Sequence, residues 1–447
     1  MKTLISRART SLAGTFNLPG DKSISHRSLI FSALAVGRTH IRGLLDGDDV
    51  MSTKDAMQQL GAKIERMDEH GEVIWVVDGM GLGALNTPDR PLDLGNSGTG
   101  ARLLMGVIAG SGITAVFTGD ASLSKRPMAR VTDPLAEMGA VITARDGTYL
   151  PLTITGPDQP LALNYISPHA SAQVKSAILL AGLTARGQTS VTEPKASRDH
   201  TETMLRHFGV PVVSTYHDDG SYTATLNGEV ALTARDIVVP ADPSSAAFLA
   251  VAALITPDAD ITLNAVGTNP LRFGVFTTLI EMGGDITLSN ERFEGGETVA
   301  DLRIKSSPLK GVNVPKARSA SMIDEYPILS IAAAMASGTT QMDGVGELRV
   351  KETDRIALMA DGLMAAGVTV QTTQDSMTVH GMAGTPIPGG VTIDACHDHR
   401  IAMSFLTLGL ITTAPMTVKG AETIATSFPN FTPLMNAMGA DIMEASL

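Results

Sequence analysis

The chain has 447 residues, 43% of them hydrophobic, with a formal net charge of −12 at pH 7. That length exceeds one ordinary core and suits two large lobes, while the acidic balance argues against nucleic acid, anionic membrane or any broad polyanion as the main partner. A single cysteine, Cys396, leaves no disulfide framework and no Cys-based metal cluster within the chain. The N-terminal MKTLISRARTSLAG lacks a continuous apolar core, and the run from Ala246 to Ile255 is about half a membrane span, so a soluble cytoplasmic protein is expected.

Along the chain one order of elements recurs six times. The first instance opens at LPGDKSISHR, runs through the small-residue helix HRSLIFSALAVG and the alternating THIRGL, and closes on a second helix that ends in AMQQLGAKI at Gly61. The second has ARLLMGVIAG, TAVFTG and PLAEMGAVI through Gly139; the third has AQVKSAILLAG, TSVTEP and MLRHFGVPV through Gly209. After the break VVPADPSS come SSAAFLAVAAL, ITLNAV and LIEMGGDI through Gly283, then YPILSIAAAMASG, TQMDGV and LMAAGVTV through Gly367. The last has RIAMSFLTLGL, MTVKGA and LMNAMGADI through Gly439. The closing glycines lie roughly 70 to 85 residues apart. Each stands where a helix C-terminus takes a left-handed residue, and Ser52, Thr132, Asp199 and Thr353 are expected to start four of these helices. Helices apolar on most sides are buried, and the stretches after them have strand period. Helix, strand, helix, strand suits neither a propeller blade nor a solenoid turn, and two lobes of three units is the simplest grouping. LPGDKS and VVPADPSS share one grammar, which suggests paired hinge strands where the lobes meet.

Polar and basic strings gather at the N-termini of the small-residue helices: DKSISHR, GNSGTGAR and SPHASAQVK, then ADPSS, DEY and DHR. Unpaired N–H groups and the positive dipole end make such termini anion sites. Lys22, Arg27, Arg126, Arg198, Lys351, Arg355 and Arg400 stand close by, in contrast to the acidic whole. Taken singly each suits a weak solvated pair equally well, but together they point to a small substrate with several negative charges. GNSGTG lacks the ending of an NTPase phosphate loop and the spacing of a dinucleotide fingerprint. His397 and His399 flank Asp398 without further zinc-like spacing, so no metal is expected. Cys396 is expected to be a small, buried, inert residue.

Taken in order, DKSISHRS, GNSGT, KRPM, SAQVKSA, SRDHTE, MIDEYPIL, LRVKETDR and DHRIAMSF resemble the 5-enolpyruvylshikimate-3-phosphate synthase family, in its class II-like bacterial form, from about residue 12 to the C-terminus. The resemblance implies an α/β fold of two lobes, each with three β-α-β-α-β-β repeats and the active site in the interlobe cleft. The N-terminal lobe would span 20–239, and 1–19 with 240–447 would form the other. It implies transfer of the enolpyruvyl group of phosphoenolpyruvate to the 5-hydroxyl of shikimate 3-phosphate, by a monomer without a cofactor. Residue by residue, it places Lys22, Ser23 and Arg27 at the junction of both substrates, and Ser171, Gln173 and Arg198 on the shikimate phosphate and ring. Arg126, Arg355 and Arg400 would hold phosphoenolpyruvate in a pocket lined by Asn96 and Gly98. Asp324 would accept the hydroxyl proton, while Lys351 and Glu352 handle protons at the enolpyruvyl carbons. Without the resemblance, Asp324 reads as a cap of the YPIL helix and Glu352 as half of a surface ion pair. Thr426 and Glu347 depart from the class I pattern and match class II. Gly98 stands where the glyphosate-tolerant class II pattern has alanine, which implies that glyphosate competes here with phosphoenolpyruvate. The related transferase acting on a UDP-amino-sugar carries a loop cysteine in its N-terminal lobe, and this chain has none there. A repeat-built binding scaffold, in which the six units serve symmetry, would need no converging charges.

Overall fold

Six helices rich in Ala, Leu, Ile and Ser are buried along most of their length in the computed structural model, which describes residues 2–445: Lys22–Leu34, Gly98–Ala109, Ala172–Gly182, Pro243–Ile255, Tyr326–Met335 and His399–Leu408. Small side chains let them approach closely. A Cβ added at Gly106 would lie 2.3 Å from the carbonyl oxygen of Ala177, so the second and third helices pack backbone to backbone.

The partner helices are Asp48–Gln59, Ala129–Glu137, His200–His207, Gly274–Glu281, Arg355–Ala365 and Phe431–Met438. Past their ends Gly61, Gly139, Gly209, Gly283, Gly367 and Gly439 have φ from 87° to 112°, the left-handed turn that redirects the chain into a strand. The starts of these helices correct the expectation. Ser52 and Thr132 lie inside them, donating back to the carbonyls of Asp48 (3.0 Å) and Met128 (3.4 Å). Asp354, not Thr353, caps the Arg355–Ala365 helix by accepting from the Ala357 N–H at 3.0 Å, and Asp199 takes the cap position without a side-chain capping bond.

The chain divides into two compact units. One comprises Gly20–Pro240 and the short segment Glu294–Glu297; the other takes the chain up to Pro19, Ala241–Phe293 and Thr298 onward. Each holds three sheets in which the strand following a buried helix is central. Thus Thr114–Thr118 pairs in parallel with Leu92–Asp93, across the Gly98–Ala109 helix, and antiparallel with Tyr149–Thr155. The first residues belong with the last because of pairing. Ala13–Asn17 lies parallel to Asp260–Gly267, and Thr3–Arg7 is antiparallel to both Met416–Lys419 and Asp441–Glu444. Where the chain passes between units, the Asp21 N–H donates to Pro240 O (2.7 Å) and the Asp242 N–H donates to Pro19 O (3.0 Å). Among the described residues no helix is long and apolar enough to cross a membrane.

Candidate active site

In the unit that holds residues 241 onward, the N-termini of three packed helices collect charged groups. Asp242 and Asp398 cap two of them, accepting from the Ser244 N–H (2.7 Å) and the Arg400 N–H (2.9 Å). Arg355 sits among these ends with only 1% of its surface exposed. Its Nε donates to Asp398 Oδ2 at 2.7 Å, its Nη2 to Glu352 Oε2 at 2.5 Å and its Nη1 to Asp324 Oδ1 at 3.4 Å. Burial alone would lower the guanidinium's pKa, but Asp398, Glu352 and Asp324 together push it up. One cation therefore orients three carboxylates.

Lys351 Nζ lies 3.8 Å from Asp324 Oδ1 and 2.8 Å from Glu347 Oε1, so Glu347 shares this ammonium with Asp324. Arg400 donates to the Asp324 carbonyl at 2.9 Å and to Glu325 at 3.4 Å. Glu325 is fully buried and also accepts from Arg272 (2.8 Å) and the Ser244 hydroxyl. It is Glu325, not Asp324, that takes the cap position of the Tyr326–Met335 helix. Asp324 lies outside that cap position, and Glu352 bonds a buried guanidinium rather than a surface one.

The Gly20–Pro240 unit presents a second cluster. Arg27 is buried (1% exposed) and donates to Thr201 Oγ1 (2.8 Å), Ser176 Oγ (2.7 Å), Ser23 Oγ (2.6 Å) and Ser23 O (3.1 Å), all of them neutral oxygens. Burial, helped by Arg198, brings its pKa down to about 10 against the pull of Glu202, Asp21 and Glu297. Lys22 pairs with Asp49 at 3.1 Å. Arg126 donates to Asn96 Oδ1 (2.7 Å) and Ser122 Oγ (3.2 Å), and Asn96 in turn donates to Asp120 (2.7 Å). Gly98 opens the Gly98–Ala109 helix, where an added Cβ would lie 3.2 Å from Arg126 Nη1 and 3.4 Å from Arg102 Nη1. Ser171 caps Ala172–Gly182, and Gln173 bridges Arg102 (2.6 Å) and Thr99 (2.9 Å). Arg198 precedes the His200–His207 helix and is half-buried.

Next to Arg27, His26 is fully buried, with Nδ1 at 2.8 Å from Thr53 Oγ1. Burial, followed by Lys22 and Arg27, lowers its pKa to about 3. The folded value lies below the usual 6.5, so the unfolded chain binds the extra proton between those values, and the stabilisation present above pH 6.5 is lost as the pH falls toward 3. Going from pH 7.5 to 5 should cost roughly 2 kcal/mol through this group. His200, whose pKa is raised by Glu297 against its burial, acts in the opposite sense. Urea unfolding at pH 7.5 and 5 of the parent and of His26→Gln isolates the effect: the parent should lose about 2 kcal/mol more than the variant. Equal losses would mean that this imidazole titrates normally.

Sequence reasoning assigned no role to Asp49, Arg272, Glu193 or Glu202, although each bonds a charged partner in these clusters; no local pattern marks them. Cys396 is exposed, not buried, because it lies with His397 in a left-handed turn (φ 49° and 64°) whose side chains project outward. Partial desolvation of the sulfur, with the carboxylates of Asp394 and Asp398, raises its thiol's pKa. His399 starts its helix with Nδ1 3.4 Å from Thr426 Oγ1.

The mixed α/β arrangement is similar over 100% of this chain to the enolpyruvyl transferase NikO from Streptomyces tendae, with a TM-score of 0.76, 18% identity and 99% of that chain covered, which shows the fold of an enolpyruvyl transferase. EPSP synthase from Acinetobacter baumannii is similar at TM-score 0.88 and 47% identity, with both chains covered completely. A 3-phosphoshikimate 1-carboxyvinyltransferase of Parvibaculum lavamentivorans is 56% identical over 99% of this chain and 97% of its own, and one of Paramagnetospirillum magneticum is 54% identical over 99% and 98%. Residues 6–435 match the EPSP synthase (3-phosphoshikimate 1-carboxyvinyltransferase) family. The chain belongs to that family and is a transferase of its kind.

Proposed function

We propose that this chain transfers the enolpyruvyl group of phosphoenolpyruvate to the 5-hydroxyl of shikimate 3-phosphate, releasing phosphate, on the route to chorismate and the aromatic amino acids, and that it works as a cytoplasmic monomer. The observation that carries the reading is the placement of Asp324 and Glu352 on one buried guanidinium, at 3.4 and 2.5 Å from Arg355. The enol phosphate of phosphoenolpyruvate becomes electrophilic at its oxygen-bearing carbon when its methylene carbon is protonated, so one group must deliver a proton there while another takes the proton of the attacking hydroxyl. Glu352, or the ammonium of Lys351, supplies the first; Asp324 receives the second. The tetrahedral adduct then expels phosphate as a base removes a methyl proton, which restores the double bond.

The cations divide the remaining work. Arg355 and Arg400 in one unit and Arg126 in the other are assigned to the carboxylate and phosphate of phosphoenolpyruvate, and Asn96 and Gly98 stand beside Arg126. Ser171, Gln173 and Arg198 take the phosphate and ring of the acceptor, while Lys22, Ser23 and Arg27 serve both substrates. A buried guanidinium bonded only to neutral oxygens among the described residues, as Arg27 is, favours an anionic guest. Phosphate release from purified protein given phosphoenolpyruvate tests the assignment. Release should require shikimate 3-phosphate; release supported by UDP-N-acetylglucosamine instead would show that the alcohol is wrong.

Gly98 bears on inhibition. A methyl group there would sit 3.2 Å from the Arg126 guanidinium, closer than an ordinary contact, and must displace it or narrow the space in front of it. Glyphosate should therefore inhibit competitively with phosphoenolpyruvate, and Gly98→Ala should raise the inhibition constant by a larger factor than the KM. Equal shifts in steady-state assays would refute the steric account.

A further inference from the structure

We infer that Glu193, held by Lys175, is a positioning residue for the acceptor's phosphate site, a role that rests on the assignment of Ser171, Gln173 and Arg198 to that site. Glu193 ends the strand Gln188–Glu193 and is 1% exposed. Its Oε1 accepts from the backbone N–H of Ser171 at 2.6 Å and from Ser197 Oγ at 2.8 Å. Its Oε2 accepts from Ser197 Oγ (2.7 Å) and the Ser197 N–H (3.4 Å) and pairs with Lys175 Nζ at 3.0 Å. One carboxylate thus ties together two segments distant in sequence: the turn that presents Ser171 and Gln173, and the loop in which Ser197 immediately precedes Arg198.

The charge on this carboxylate is essential to the arrangement. Lys175 has 0% of its side chain exposed; it also pairs with Glu202 at 2.9 Å, donates to Ser197 O at 3.3 Å and lies 4.8 Å from the centre of the Tyr222 ring. Burial alone would lower its pKa, but Glu202 and Glu193 raise it, so the ammonium keeps its charge. An amide at 193 has one acceptor oxygen and one NH2 group. In either orientation a donor would face a donor: NH2 against the Lys175 ammonium, or NH2 against the Ser171 N–H. One of the two clamps must open. Neither Glu193 nor Lys175 belongs to the residues proposed to touch substrate, so they act through the geometry of those that do.

Glu193→Gln should raise the KM for shikimate 3-phosphate by roughly ten-fold or more, the effect of losing one charge-assisted hydrogen bond, while the KM for phosphoenolpyruvate stays within about two-fold. A merely structural role would lower kcat and raise both KM values together, or lower the amount of active enzyme without altering either KM; either pattern overturns the inference. Should Glu193→Gln fail to fold, Ser197→Ala decides, because it removes the hydroxyl clamp without unpairing Lys175 and should show the same selective rise in KM. Ser171→Ala and Arg198→Ala separate the two levels of the argument. If these raise the acceptor KM while Glu193→Gln and Ser197→Ala do not, the positioning role is wrong and the phosphate site stands. If none of the four does, the assignment of the phosphate site itself fails.

Discussion

Arg355→Met should unfold at a lower urea concentration than the parent, with a loss of about 3–5 kcal/mol, the cost of removing one partner from a buried ion pair. Methionine approximates the stem but leaves Asp398, which is 0% exposed, with no guanidinium at 2.7 Å, and leaves Asp324 and Glu352 without the cation that spaces them. Phosphate release should fall by roughly 10²- to 10³-fold in kcat/KM, the usual effect of deleting one preorganised charge from a transition-state site. Arg355→Lys should recover little of either quantity, because a single ammonium cannot reach three carboxylates in the geometry of a planar fork. Full activity in Arg355→Met at a temperature where it is folded would favour the scaffold reading, in which converging charges serve no chemistry. Stability within about 1 kcal/mol of the parent would show that the carboxylates find other partners.

The parts of this molecule that could be read from the sequence are local. Each helix-ending glycine and each small-residue helix is contained in about ten consecutive residues, and the period of the apolar positions says helix or strand without knowledge of what packs against it. Gly61, Gly139, Gly209, Gly283, Gly367 and Gly439 all have positive φ. Cap choice was less legible, because a hydroxyl such as Ser52 can either cap a helix or bond back within it, and neighbouring residues decide which. The basic residues of the site were visible as strings, but their partners were not. Arg27 bonds Thr201 across 174 positions and Arg355 bonds Asp398 across 43, distances over which sequence carries no pairing signal. Glu193 and Glu202 read as an ordinary strand end and an ordinary helix residue. Only the fold brings both to Lys175, and only the resemblance of MIDEYPIL and LRVKETDR turned Asp324 and Glu352 from a cap and a surface pair into candidates for chemistry.

Those two carboxylates support a last expectation. Asp324→Asn and Glu352→Gln keep the size of each side chain but remove its proton-carrying function, so each should lower kcat by roughly 10²- to 10⁴-fold with only small changes in the KM values. Both groups bond the same guanidinium, and Lys351 lies 3.8 Å from Asp324, so removing one charge alters the field at the other. The double variant should therefore lose less than the product of the two single losses, as expected of groups that act as one unit. Single-turnover phosphate release measures all three. A kcat within about ten-fold of the parent in either single variant would remove that residue from the proton transfers, and in Glu352→Gln it would leave Lys351 as the remaining acid. Strictly multiplicative losses would mean that the two carboxylates contribute independently to the rate-limiting step despite sharing Arg355.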